Sequence, residues 1–423
     1  MSSITSSVNT HSPSDNEEEK EVGDGGYGWC VALGAFLIQI TSMGINTTWG
    51  VMQNYYEQHF FKDTPNAVVT LSFVGTLGLC FMRAGGPLAQ LLEPRISHRG
   101  VLFVGCCLKA LGMIMAGFAT QIYQLYICQG LLFGLGASFM YYTSLSLTPQ
   151  WFTKRKGLAL GLVASGSGIG GLVIPFIMST VNNSLGVHWT FRILGFMCLG
   201  MDLTSCALIK ENPAMKTHQD EKKKKLSDII QLQVLKDTDY VLWIIGSDIA
   251  LLGYFIPFYF LPYSQGAVLL ALTSAFNFVG RGLTGYCADY LGQLNTNMGF
   301  TLMGGLSCFL IWTFATTYAA LLGFSFVFGL FCGSYFSLLS PITALILGKE
   351  RFPTGLSLLL IFNIIGVFGP NIASAIETSL LVQYPDYPPF LFYKLFAGAC
   401  YVLATLVYLV LRLRINKDWK RCL

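Results

Sequence analysis

Charge is what this sequence has least of. Only 11% of its 423 residues are Asp, Glu, Lys or Arg, whereas 53% are hydrophobic and the mean hydropathy is +0.57. So little polar surface cannot cover a water-soluble globule of this size. Between Trp29 and Glu57, and again from Met298 to Gly348, there is no charged residue at all. Catalytic groupings are missing as well. No nucleophile–base pair, metal cluster or phosphate loop stands out, and GSGIGG (166–171) lacks the preceding strand that a dinucleotide site requires. The sequence therefore points to no enzyme, cofactor, metal or nucleic acid, and leaves any protein partner open. The 12 cysteines sit mostly inside apolar stretches and read as small packing residues, with no disulfide framework implied.

What the chain has is long apolar runs. A bilayer core of about 30 Å takes roughly 20 apolar residues per helix, and twelve such spans are predicted: 29–52, 66–92, 100–119, 122–149, 157–181, 189–209, 240–262, 266–288, 298–316, 319–348, 354–376 and 390–411. The charge-free block 298–348 is long enough for two helices and must turn near Thr316 to Ala320. Continuous apolarity favours helices over a barrel, whose strands alternate. The expected fold is all-α and integral to a lipid bilayer. It comprises a disordered, uncleaved tail (1–28), a six-helix bundle (29–209), a linker (210–239), a second six-helix bundle (240–411) and a short tail (412–423).

The few charges orient it. Arg83, Arg95, Arg99, Lys154, Arg155, Lys156, seven lysines from Lys210 to Lys236, Lys349, Arg351 and the basic C-terminal residues fall on the N-terminal side; only Lys62, Arg192 and Lys394 face the other. By the positive-inside rule both termini are cytoplasmic, in a plasma or vacuolar membrane. In the linker, Lys222 to Lys225 precede apolar residues near one helical face, which suits either a surface helix or a solvated charge run. Small residues at Gly157, Gly161, Ser165 and Gly168 let another helix approach the fifth span, and Gly366, Gly369 and Pro370 allow a bend in the eleventh.

Several motifs carry a family likeness. DGGYGWCV (24–31) resembles the first-span signature of the monocarboxylate transporter family within the major facilitator superfamily, and WFTKRKGLALG (151–161) its entry to the fifth span. NTTWGVMQNYY (46–56) looks like that family's fungal branch, GRGLTGYCADYLG (280–292) is similar to the superfamily's loop after the eighth span, and GPNIASAI (369–376) resembles its eleventh-span Gly-Pro motif. The resemblance implies two bundles around a midplane site that opens alternately to either side. It marks Asp24, Gly25, Gly26, Trp29, Lys154, Arg155, Gly285, Asp289, Gly369 and Pro370 as conformational residues. Trp29 with its glycines reads as a headgroup anchor, with or without a hinge.

Ionisable residues within spans are functional candidates, because each costs at least about 2.5 kcal/mol to insert. Four lie near mid-depth: Lys109, Asp202, Asp248 and Arg281. Family geometry puts the spans of Lys109 and Asp202 at the periphery, where they read as a structural pair or a snorkelling charge and not as a substrate site. Arg281 matches the family's eighth-span arginine and is the expected carboxylate-binding residue; the alternative is a packing charge paired with Asp248. The acidic residue that the family usually has one turn earlier is Asn277 here, and its first-span lysine falls near Thr47. Asp248 is the candidate proton-coupling group, with Tyr141, Tyr142, Asn46 and Asn363 expected on cavity-lining spans.

The expected function is secondary transport of a small organic anion of the monocarboxylate kind, with the proton as coupling ion. A riboflavin-like heteroaromatic substrate moving by facilitated diffusion is an alternative, because the fungal branch includes a riboflavin carrier. So is a non-transporting sensor, given the short connection FLPYSQGA (260–267) and a ragged loop before the third span, although tails of about 28 and 12 residues leave no signalling domain. Tags on either terminus or in the 210–239 linker should be protected from external protease in intact cells; digestion of either terminal tag would overturn the twelve-span topology.

Overall fold

The computed structural model describes residues 26–62, 67–213, 232–265, 267–384 and 390–416. Asp24, Gly25 and Lys222 to Lys225 lie outside the described residues. A helix lies within each expected span: α1 (Tyr27–His59), α2 (67–96), α3 (98–116), α4 (Ile122–Trp151), α5 (Lys156–Leu185), α6 (Val187–Leu208), α7 (Thr238–Gln265), α8 (Ala267–Leu291), α9 (293–312), α10 (318–347), α11 (349–383) and α12 (Leu391–Ile415). Nine helices among the described residues are long and apolar enough to cross a membrane.

The junctions follow local chemistry. Ser97, at φ 66, separates α2 from α3, and Gly348, at φ 69, separates α10 from α11. The charge-free block does turn where expected, since α9 ends at Trp312 and Thr317 caps α10 by accepting from the Ala320 N–H. Helix α11 breaks at Asn363 and again at Phe368, directly before Gly369 and Pro370. A Cβ on Gly369 would lie 2.0 Å from the Leu252 carbonyl, so that glycine is where α11 meets α7 backbone to backbone.

Arg83 corrects one expectation. Its side chain is 0% exposed, because α2 runs on to residue 96 and carries the arginine well inside the bundle instead of into a basic loop.

Packing groups α1–α6 with one another and α7–α12 with one another, and the two groups meet chiefly along α5 and α8. Gly157 and Gly161 of α5 face Gly285 of α8. A Cβ on Gly285 would stand 2.2 Å from the Gly157 carbonyl, and one on Gly161 2.5 Å from the Arg281 carbonyl. The small face legible in the fifth span thus exists to admit α8.

Within the first group, Lys109 and Asp202 form the expected pair. Lys109 Nζ lies 2.7 Å from Asp202 Oδ2 and donates to Thr41 Oγ1 at 2.8 Å and Ser42 Oγ at 3.0 Å, while Thr41 donates to Asp202 Oδ1 at 2.7 Å. Thr41 and Ser42 belong to a π-helical turn of α1 (Ile40–Gly44), so the pair ties α1, α3 and α6 together with every charge answered. Lys109→Met should strip Asp202 of its cation and cost about 3–5 kcal/mol, whereas Lys109→Met with Asp202→Leu should recover most of that loss. Thermal unfolding of the purified variants checks this. Equal stability of the single and double variants would remove the pair from the account.

Candidate functional site

Arg281 sits midway along α8 and is 4% exposed. Burial of a guanidinium at this depth demands partners, and they come from three helices. Nη1 donates to the Ala164 carbonyl at 2.9 Å and to Ser167 Oγ, both on α5, while Nη2 donates to Tyr254 Oη of α7 at 3.1 Å. Phe336 of α10 lies under the cation, 4.5 Å from its Cζ to the ring centroid. The Arg281 Nε alone has no partner. In this conformation Arg281 therefore fastens α8 to the first helix group.

Arg281 closes the inner end of a cavity. Thr47 and Thr48 of α1, Gly171 of α5, Phe258 of α7, Ser274 of α8 and Phe336 are among its walls. Leu270, near the start of α8, belongs to it too, so the cavity runs from Arg281 toward the face opposite the N-terminus. It encloses about 30 Å³, room for a water and too little for an organic solute. Thr47 thus lies on the cavity wall, and Asn277 also lines the space while donating to Cys332 Sγ at 3.0 Å.

The other expected residues are scattered around this centre. Asp248 is 8% exposed on α7, with Oδ1 buried and unpartnered. It makes no ion pair with Arg281; the charge acting on it is Arg83. The proposed Asp248–Arg281 pairing is therefore absent, since the Arg281 fork is turned to α5 and Tyr254. Tyr141 is buried within electrostatic reach of both Arg83 and Arg281. Tyr142 lies nearer the basic side, donating to the Pro353 carbonyl of α11 at 3.4 Å. Asn46 turns into the first group, donating to the Ser42 carbonyl at 3.1 Å and to Met82 Sδ at 3.4 Å. Asn363 joins the second group, bonded to Tyr335 and accepting from Ser247 at 3.4 Å. Neither asparagine reaches the Arg281 cavity.

Arg83 is the residue that reading the sequence missed as a site candidate. Its Nε, Nη1 and Nη2 are all buried without a hydrogen-bond partner, and its Cζ lies 5.7 Å from the centroid of Phe336. The available signal was the uncharged stretch Ala84 to Leu92, which lets the helix continue beyond the arginine.

On the basic side the two groups are sealed. Asp289, at the end of α8, accepts the Gly157 N–H at 2.7 Å and the Leu158 N–H at 2.9 Å, capping the first turn of α5 across the interface. Ser340 donates to the Leu145 carbonyl at 3.0 Å, and Ser357 to Gln90 Oε1 at 3.2 Å. Nearby, the two motif blocks touch. Trp29 meets Phe152 edge to face at 5.1 Å, and a Cβ on Gly28 would lie 3.2 Å from that of Trp151. Gly26 opens α1 at φ 63, and Lys154 and Arg155 are exposed between α4 and α5.

The cavity thus sets one guanidinium among hydroxyl, amide and aromatic walls at the boundary of the two helix groups. The family model of the Major Facilitator Superfamily matches residues 31–296. The chain is 31% identical over 321 residues to an MFS-type transporter, pynF, of Aspergillus niger, covering 74% of this chain and 72% of that one. It is 27% identical to the agnestins efflux protein AgnL12 of Paecilomyces divaricatus, covering 91% and 87%, and 27% identical to monocarboxylate transporter 10 of Rattus norvegicus, covering 86% and 76%. Among solved structures, the proton:xylose symporter XylE superposes with a TM-score of 0.70 at 14% identity over 90% of this chain and 94% of that one, a likeness of fold. The chain belongs to the Major Facilitator Superfamily, whose members are membrane transporters and not enzymes.

Proposed function

We propose that the protein moves a small organic anion across its membrane by alternating access, with Arg281 as the residue that binds the acid group. The observation carrying this is the place of Arg281: a buried guanidinium at the end of the interface cavity, holding both helix groups by hydrogen bonds and keeping Nε free. Such a cation suits a planar two-oxygen anion. An anion docking there competes with Ala164, Ser167 and Tyr254 for the same N–H groups, so binding loosens the fastening between α5 and α8. The Asp289 cap and the close glycines hold the basic side shut meanwhile, and their release completes the exchange of access.

Uptake of labelled pyruvate, lactate and riboflavin into proteoliposomes, with and without an inward proton gradient, tests substrate class and coupling together. Carboxylate uptake is the expected result; riboflavin uptake alone would transfer the assignment to a heteroaromatic carrier. The names of relatives such as the agnestins efflux protein favour outward transport as the working direction. The same vesicles, preloaded with label, read it.

Two substitutions separate the roles. Arg281→Lys keeps the charge and loses the fork, so it should rescue little of the activity lost in Arg281→Ala, with transport down about tenfold or more in both. Wild-type transport by the alanine variant at equal abundance would exclude Arg281 as the anion site. Asp248 is assigned the coupling proton, as a deep carboxylate of the second helix group with an unanswered oxygen, within electrostatic reach of Arg83 of the first group. Asp248→Asn should keep substrate exchange and lose gradient-driven accumulation; unchanged accumulation would reject the coupling role.

A further inference from the structure

Phe336 has a cation over it twice. The Arg281 Cζ lies 4.5 Å from the ring centroid and the Arg83 Cζ 5.7 Å, one guanidinium reaching in from α8 and the other from α2. The ring thus stands where the two helix groups meet, with a positive charge from each directed at it. Phe336 walls the cavity and Arg83 does not, so Arg83 lies behind the cavity wall, next to one of its rings.

The two arginines are unequally satisfied. Arg281 donates to a carbonyl and two hydroxyls, whereas none of the three Arg83 nitrogens has a hydrogen-bond partner although the side chain is 0% exposed. Asp248 lies within electrostatic reach but makes no ion pair with Arg83, and its own Oδ1 is unpartnered. A buried guanidinium in this state has the Phe336 ring and the nearby Asp248 charge but no hydrogen bond to offset the desolvation of its five N–H groups. Its N–H groups are therefore open to an acceptor, and an acidic group would answer both the charge and the donors. Phe336 helps hold two cations close through its negative ring face, and it offers a flat apolar surface between them.

We propose that Arg83 is a second anion-binding residue and that the transported molecule carries two acidic groups, one for each arginine, joined by a short flat spacer that lies against Phe336. This rests on the reading in which Arg281 takes one acid group. The first group docks at Arg281 from the open side, and the second reaches Arg83 once the Phe336 ring turns aside. A monoacid fills only half of the site, leaving Arg83 as poorly answered as before.

Benzoate and terephthalate, equal in their ring and different by one carboxylate, test this by equilibrium binding to the purified full-length protein in lipid nanodiscs. The wild-type protein should bind terephthalate about tenfold or more tightly than benzoate, the margin of one further acid–guanidinium contact. Arg83→Gln should erase that preference and leave benzoate affinity near the wild-type value, with Arg83→Lys restoring part of it. Equal affinity of the wild type for the two acids overturns the proposal without need of any variant, as does a preference that survives Arg83→Gln. Benzoate binding without a diacid preference removes the second site alone. If neither acid binds, the organic-anion reading of Arg281 falls and this inference falls with it.

Discussion

A guanidinium in a low-dielectric interior has to be answered by hydrogen bonds, and how Arg281 is answered governs much of this structure. Its donors go to α5 and to Tyr254 of α7, its underside rests on Phe336 of α10, and its own carbonyl accepts from Ser337 at 3.2 Å. That geometry requires α5 and α8 to run close enough for a carbonyl of one to meet a side chain of the other. Glycines at 157, 161 and 285 permit the approach. The Asp289 cap then fixes the register of α8 against the first turn of α5. Close packing, capping and charge burial are thus one arrangement along one helix pair.

The contrast with Lys109 is instructive. That lysine is also fully buried, but Asp202, Thr41 and Ser42 answer it completely within a single helix group, so it has no reason to change partners. Arg281 is answered by neutral acceptors, two of them across the boundary between groups on α5 and one on α7. In the proposed mechanism the charge satisfied within one bundle serves its stability, and the charge satisfied across the boundary is the one a solute engages.

Much of this was legible in the residues. Hydropathy located the helices and the turn near Thr316 to Ala320, because the bilayer leaves the backbone few alternatives, and Gly366, Gly369 and Pro370 marked the bend in α11. The small face of α5 was readable as well; that its partner is α8 was not, since small residues announce a close neighbour without naming it. Arg281 stood out as an isolated charge in an apolar run. Arg83 did not, because Arg95 and Arg99 follow it closely and it resembled the start of a basic loop. Tyr142, Asn46 and Asn363 lay on the expected helices, yet side-chain direction depends on helix rotation, which composition does not set.

In the proposed mechanism the two helix groups move against each other about the Arg281 fastening. Pulsed electron spin resonance on a background without native cysteines measures it most directly, with one spin-label pair at Thr153 and Glu350 on the basic side and another at Ser184 and Val382 on the opposite side, all exposed. With a transported acid added, the basic-side distance should lengthen while the opposite-side distance shortens, and Arg281→Ala should abolish the response to the acid. Distances that stay fixed, or that lengthen together on both sides, would contradict the account.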